Sequence, residues 1–426
     1  MCHNYLVIFY LVNLFGASFM KKLFIGLLLI CQIINNLYAQ SVDSLKSTSE
    51  IKSTSEKKWY ESISVKGYIQ ARYNRLFETN SKLKCEQCDK SWGENGGIFL
   101  RRVRIAFHGQ ISKSIYFYIQ PDFAGSVSST ALNFAQIRDA YFDIGLDSKN
   151  EFKLRIGQSK VPFGFENVQS SQIRVPLDRD DALNSAVPNE RDQGVFFYWT
   201  PETKKKLYSK IMKDGLKGSG DYGVFSFGLY NGQSGNRPEL NNGLHIVSRI
   251  AYPIELGKNL IEFGIQGYTG KYFVNNDQLS SLTKIASDKT YDDSRGAVSF
   301  ILYPKPFGIQ AEYNIGRGPQ YNALKDSIET KNLKGGYILL SYQLKKNHHI
   351  IMPYLRYQYY DGGKKNELDA RHHEVSEGEL GVEWQPSKYF ELSANYTISN
   401  RKTQDFVSKN NFQSGRLLRL QAQVNF

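Results

Sequence analysis

Arg102 and Arg104 sit two residues apart in FLRRVRIAFH, with His108 on the same side and Phe99, Val103, Ile105 and Phe107 on the other. Guanidinium forks match the oxygens of phosphate and carboxylate, so two on one face can hold an anion. The same polar-side placement recurs for Arg72, Lys153, Arg155, Lys160 and Arg249. Fixed cations of this kind replace part of the hydration that an anion loses in a narrow passage. The opposing reading is that they pair with Glu262, Glu312, Glu383 and Glu391 and only stiffen the scaffold. Arg101 falls on the apolar side of this pattern, where an outer lipid headgroup would be its partner.

Other reactive residues lead nowhere comparable. No GxSxG elbow accompanies the Ser, Asp and His residues, so hydrolase chemistry lacks its nucleophile motif, and no cofactor motif appears. His348, His349, His372 and His373 form two adjacent pairs that read as exposed turn residues, since neighbours on a strand point to opposite sides. Cys85 and Cys88, in CEQC, admit a small-ring disulfide, free thiols or half a metal site. An exported chain favours the disulfide.

Export is itself legible. From Met20 the chain reads MKKLFIGLLLICQIINNLYAQ: two lysines, an apolar run and a small residue at Ala39. This is the order of a secretory leader, which places a leader at 1–39 and starts translation best at Met20. The leader holds Lys21 and Lys22 and no acid, so its removal lowers the net charge from +13 to +11. A basic exported chain suits small anions or lipid headgroups, and export argues against nucleic acid. Residues 40–58, with KSTSE at 46–50 and again at 52–56, read as a flexible periplasmic linker.

The elements that must position the arginines are strands. SVKGYIQARY, SIYFYIQPD, EFKLRIGQ, FGIQAEYNI, YFELSANYTIS and the terminal RLLRLQAQVNF all alternate apolar and polar with period two. Sixteen such segments can be counted between 64–76 and 415–426; 133–146 has faces that cannot be assigned and 193–200 is short. Short connections alternate with long polar ones at 78–97, 231–242, 273–292, 317–332, 362–374 and 401–412. Mean hydropathy is −0.44, and after the leader no apolar run reaches the roughly 18 residues of a spanning helix. An even number of two-faced strands with short turns at one end and long loops at the other predicts an all-β transmembrane antiparallel barrel over 59–426. Lipid offers no partner to a backbone N–H, so such a sheet must close on itself. Tyr73, Trp199, Tyr230, Tyr252, Tyr303, Tyr313 and Tyr396 lie near segment ends and suit membrane-interface girdles. A soluble secreted sandwich would also alternate, but would bury its apolar face in a dry core.

Pro162 ends the fifth segment, and about thirty residues pass before alternation resumes at Gly194. A loop of that length in a compact protein is usually functional. It contains Arg174, Arg179 and Arg191 but also a DRDD run at 178–181, so its charge is nearly balanced.

RIGQSKVPFGFE at 155–166, QIRDAYFDIG at 136–145 and NERDQGVFF at 189–197 resemble the phosphate-selective porin O and P family in order and spacing, over roughly 60–426. The resemblance implies a sixteen-stranded outer-membrane porin, typically a homotrimer, with the loop after the fifth strand folded into the pore as a constriction. Phe426 is similar to the aromatic C-terminus that outer-membrane proteins present to the assembly machinery. The expected function is passive diffusion of small solutes with a preference for anions such as phosphate or polyphosphate. The alternatives are a structural or adhesive barrel plugged by its own loops and an outer-membrane hydrolase.

Overall fold

The computed structural model describes residues 58–85, 96–125 and 133–426. The expected leader at 1–39, the linker apart from Lys58, and Cys88 lie outside the described residues. Cys85 is disulfide-bonded.

One antiparallel sheet contains β1 (Ser64–Leu76), β2 (Ile98–Gln110), β3 (Ile115–Gly125), β4 (Phe134–Gly145), β5 (Phe152–Lys160) and β6 (Arg191–Trp199). It continues through β7 (Phe225–Tyr230), β8 (His245–Leu256), β9 (Asn259–Phe273), β10 (Thr290–Leu302), β11 (Phe307–Asn322) and β12 (Ser327–Tyr342). It ends with β13 (Leu344–Lys346), β14 (His349–Gly363), β15 (His372–Ser387), β16 (Phe390–Gln404) and β17 (Asn411–Asn425). β13 extends β12 past Gln343 and pairs with the same neighbour, β14, so the wall has sixteen strands. Each pairs with the next, and β17 pairs with β1, with Ile69 opposite Val424. The seam ends in a reciprocal pair: Gly67 N–H donates to the Phe426 carbonyl at 2.8 Å, and Phe426 N–H donates to that of Gly67 at 3.0 Å. A Cβ at Gly67 would lie 2.6 Å from the Phe426 ring, so this position needs glycine.

The two faces separate as the alternation predicts. Ile265, Ile315, Leu355 and Leu380 are more than half exposed on the outside, while Arg72, Gln70, Arg249 and Glu379 are buried within. A sandwich would bury the first set; a barrel in lipid presents it to hydrocarbon. Trp199, Tyr252, Tyr313 and Tyr396 are exposed outward as girdle residues should be, but Tyr230 and Tyr303 are buried and face inward.

β10 to β12 and β14 to β17 are longer than the sequence reading set them, whereas β7 is shorter. β11 reaches Asn322 and β12 starts at Ser327, so most of 317–332 is strand; β16 and β17 likewise absorb much of 401–412. These extensions rise above the apolar band, where both faces are wet and alternation stops marking a strand. β4 is irregular for a different reason. Gln120 pairs with Asp139 and Pro121 with Ile137, so Arg138 is an extra residue. Pro121 cannot donate to the ladder, and a bulge opposite it removes that demand. Arg138 and Asp139 are therefore both buried.

β2 carries a second bulge. Gln70 pairs with Arg102 and Ala71 with Leu100, which makes Arg101 the extra residue of the bulge. On the extracellular side of the bulge the parity reverses: Phe99 is buried and Leu100 is exposed. Arg101 thus turns inward, against the lipid-side expectation, and its Nη2 lies 3.4 Å from Asp178. The histidines also differ from expectation. His372 and His373 open β15; His373 is buried with its Nε2 2.6 Å from Glu367, and His372 contacts Asp361 and Gln404.

Candidate functional site

The connection from β5 to β6 begins where Pro162 interrupts pairing, and its base is closed by Val161 N–H donating to the Glu190 carbonyl at 3.0 Å. It carries two short helices, α1 (Phe165–Val168) and α2 (Asp181–Ala186). Many of its fixing contacts go to inward-facing residues of the wall. Glu312 on β11 accepts from the amides of Phe165 at 2.6 Å and Glu166 at 2.7 Å. Phe163, Ala182, Leu183 and Val187 pack against Phe196, Tyr268, Tyr337 and Tyr360. The interior is therefore not lined by polar groups throughout; on the side of β6 to β15 it is apolar where the loop rests.

Asp178 collects arginines from across the barrel. Arg72 of β1 lies at 2.8 Å and Arg419 of β17 at 2.7 Å from one carboxylate oxygen, and Arg356 of β14 donates to the Asp178 carbonyl at 2.8 Å. Asp181 pairs with Arg401 at 3.0 Å and Lys364 at 2.5 Å. Asp180 caps α2 by accepting from Leu183 N–H at 2.7 Å. The DRDD run thus acts as an anchor: two carboxylates are neutralised by wall cations and the third serves a helix end.

Most of the sequence-predicted cations have partners too, and the partners are mainly aspartates. Arg104 binds Asp122 at 2.8 Å, together with Tyr68 and Ser171, each at 2.9 Å. Arg155 forks onto Asp143 at 2.7 and 2.9 Å and lies 3.8 Å from the Tyr141 ring. Arg191 binds Asp139 at 2.9 Å and also Glu190; Arg179 reaches Glu190 at 3.0 Å. Lys153 pairs with Asp221 at 3.3 Å. Lys160 donates to the carbonyls of Gln169 at 2.7 Å and Val168 at 3.2 Å. Of the four glutamates named as cross-lumen partners, only Glu262 meets a predicted arginine, Arg249 at 3.2 Å. Glu383 pairs with Lys217, Glu312 holds the loop, and Glu391 contacts Ser393 and Gln385.

Two arginines differ. Arg102 is buried and donates to the Gln70 side chain at 2.7 Å, and among the described residues no carboxylate pairs with it. Arg174 is buried with Glu190 at 3.9 Å, and its Nε and Nη1 meet no hydrogen-bond acceptor. Both line a cavity of about 370 Å³ on the extracellular side of the loop, beside Arg101, Arg179, Lys364 and Arg371. Asp178 and Glu367 are the carboxylates in its wall. Sequence reasoning missed Arg101, Lys364 and Arg371: the first because a bulge cannot be read from alternation, the others because they sit in a polar loop with no periodicity.

The family model for phosphate-selective porin O and P matches residues 84–426. Among solved structures, the outer membrane channel DcaP of Acinetobacter baumannii is 15% identical, with 85% of this chain and 97% of that chain covered and a TM-score of 0.50. The OmpF of Salmonella typhi, solved in complex with daunomycin, is 12% identical over 85% of this chain and 97% of that one, with a TM-score of 0.51. At such identities the likeness shows the fold alone. No curated protein sequence matches significantly. A closed sixteen-stranded wall, an apolar outer face and a family match over most of its length together assign the chain to the phosphate-selective porin O and P family, as an outer-membrane β-barrel channel.

Proposed function

We propose that the channel prefers anions, phosphate and polyphosphate among them, and that the loop between β5 and β6 constricts their path. The observation that carries this reading is the pair Arg102 and Arg174. Among the described residues Arg174 keeps two buried N–H donors without acceptors, and Arg102 donates to the neutral Gln70 side chain with no carboxylate beside it; a passing oxyanion supplies what the protein withholds. The cavity wall holds six cations, these two included, against two carboxylates, and Asp178 is already neutralised by Arg72 and Arg419. The remaining predicted cations, Arg72, Arg104, Lys153, Arg155, Lys160, Arg179, Arg191 and Arg249, are held by carboxylates or carbonyls and bias the surrounding potential, although Arg249 keeps a buried Nε without an acceptor among the described residues. The family's name points the same way. The family resemblance also supports a homotrimer and a role for Phe426 in recognition by the assembly machinery.

Planar-bilayer recordings under a salt gradient test the preference. The reversal potential should lie on the anion side, and Arg102→Ala with Arg174→Ala should lower the anion-to-cation permeability ratio by about tenfold or less, as expected when part of a multi-site path is removed. Cation preference in the native channel would remove the reading. The apolar packing of the loop against Phe196, Tyr268 and Tyr337 favours a second reading, a barrel plugged at rest. That reading predicts no current above background.

A further inference from the structure

The connection from β6 to β7, residues 200–224, is the longest on the periplasmic side, and it is built rather than slack. It contains α3 (Glu202–Lys213), with Glu202 in its first turn and Lys210 and Lys213 in its last, the charge order a helix dipole favours. Leu207 and Ile211 of α3, followed by Leu216, pack against Leu260, Ile301 and Tyr303 of the wall and Phe165 of the constricting loop. Leu260 and Ile301 belong to the inward face; Leu260 lies two residues before the inward, buried Glu262. The helix therefore sits in the opening of the barrel.

Beyond α3 the chain crosses that opening. Gly215 turns it at φ 68°, and Lys345 Nζ donates to the Asp214 carbonyl at 3.2 Å. Gln169 of the constricting loop donates to the Lys217 carbonyl at 2.6 Å. Lys217 Nζ then meets Glu383 of β15 at 2.5 Å, with both side chains at least nine-tenths buried. The chain returns through Asp221, which takes Lys153 at 3.3 Å and the Thr200 hydroxyl at 2.7 Å. The segment leaves the wall at β6, is tied to β15 and comes back to β7.

Two inner cavities flank it. One, of about 370 Å³, lies toward β1–β5 and is lined by Lys66, Tyr118, Tyr141 and Tyr222. The other, of about 240 Å³, is lined by Lys217, Gln385, Lys388 and Glu391. Gln172, Ile173 and Met212 border both, so the loop and the end of α3 form a septum between two exits.

We propose that residues 200–224 are a periplasmic strap: a second constriction, fixed across the inner mouth by the Lys217–Glu383 pair, that sets conductance and size cut-off independently of the outer arginines. The proposal rests on the barrel conducting, and its readout differs from that of anion preference. A bond near 2.5 Å between buried charges holds the crossing in one place, and loss of one partner leaves the other uncompensated.

The test measures single-channel conductance, exclusion of polyethylene glycols of graded size, and reversal potential. The variants are Lys217→Ala, the charge swap Lys217→Glu with Glu383→Lys, and a chain in which 203–220 is replaced by a short Gly-Ser linker. Lys217→Ala should raise conductance about twofold or introduce frequent transitions, as loosening a constriction does. The charge swap, which restores the pair with its ends exchanged, should bring conductance back toward the native level. The shortened chain should admit larger polymers while its reversal potential stays on the native side. A silent native barrel that conducts once 203–220 is shortened would also support the strap, even as it removes the resting-channel reading. Unchanged conductance and unchanged exclusion in both Lys217→Ala and the shortened chain would overturn the proposal, as would silence of native and shortened barrels alike.

Discussion

Asp178 shows how much one side chain can fix. Arg72, Arg419 and Arg101 meet on its carboxylate, drawn from β1, β17 and β2. Asp178→Asn keeps the shape but removes the charge, leaving buried guanidiniums with too little compensation. Such losses cost about 3–5 kcal/mol. The urea midpoint of the refolded barrel should fall accordingly, and current noise should rise as the loop loosens. Removing the exposed Lys149–Glu202 pair should leave the midpoint unchanged and serves as the control. Glu367, in the extracellular turn between β14 and β15, gives a pH window. Burial pushes its carboxyl up, but His373, Lys364 and Arg371 outweigh that and hold it down at about 2. A depressed carboxyl stabilises fully above its unfolded value of about 4.3, and the contribution disappears as pH falls through the folded value. Amide hydrogen exchange within 364–371, corrected for the intrinsic pH dependence of exchange, should therefore show protection at pH 5 that is lost near pH 2.

At the scale of elements, α3 is the most informative. Ile211→Ala would leave a hole among Leu207, Leu260 and Ile301 and cost about 2–4 kcal/mol locally. Protease nicking between 203 and 220 should increase while the heat-resistant mobility of the barrel is unchanged. The helix has an apolar face at 207, 208 and 211, yet twelve residues between two strands are easily passed over when the surrounding period is two. The strands themselves were legible because lipid on one side and water on the other impose strict alternation. Legibility failed where that contrast fails: at Arg101 and Arg138, where bulges shift the parity, and above the membrane, where both faces are wet. The arginines were found for the same reason the strands were. Their partners were not, because which carboxylate faces which guanidinium depends on register and on where the loop lies. Neither is written in local pattern.

For the whole molecule, the outer face is the condition for existence. Leu380 is 60% exposed at the middle of β15, so Leu380→Arg would set a charge in hydrocarbon at a cost of about 2–4 kcal/mol. Its folded fraction in lipid vesicles should drop while Ser393→Ala, on the inner face, stays near native. The wall is also uneven in height. β11 and β12 have 16 residues each, while β5, β6 and β7 have 9, 9 and 6. At about 3.3 Å per residue, and even when tilted, the long strands overtop the roughly 25 Å apolar band, whereas the regular part of the short ones, once tilted, falls short of it. The outer rim is thus a parapet on one flank and a low sill on the other. On the high flank stands the tight hairpin at Leu324, which is 96% exposed. Large visitors such as antibodies or phage fibres could grip that crest, and a peptide grafted there would be displayed clear of the cell surface without touching the passage below.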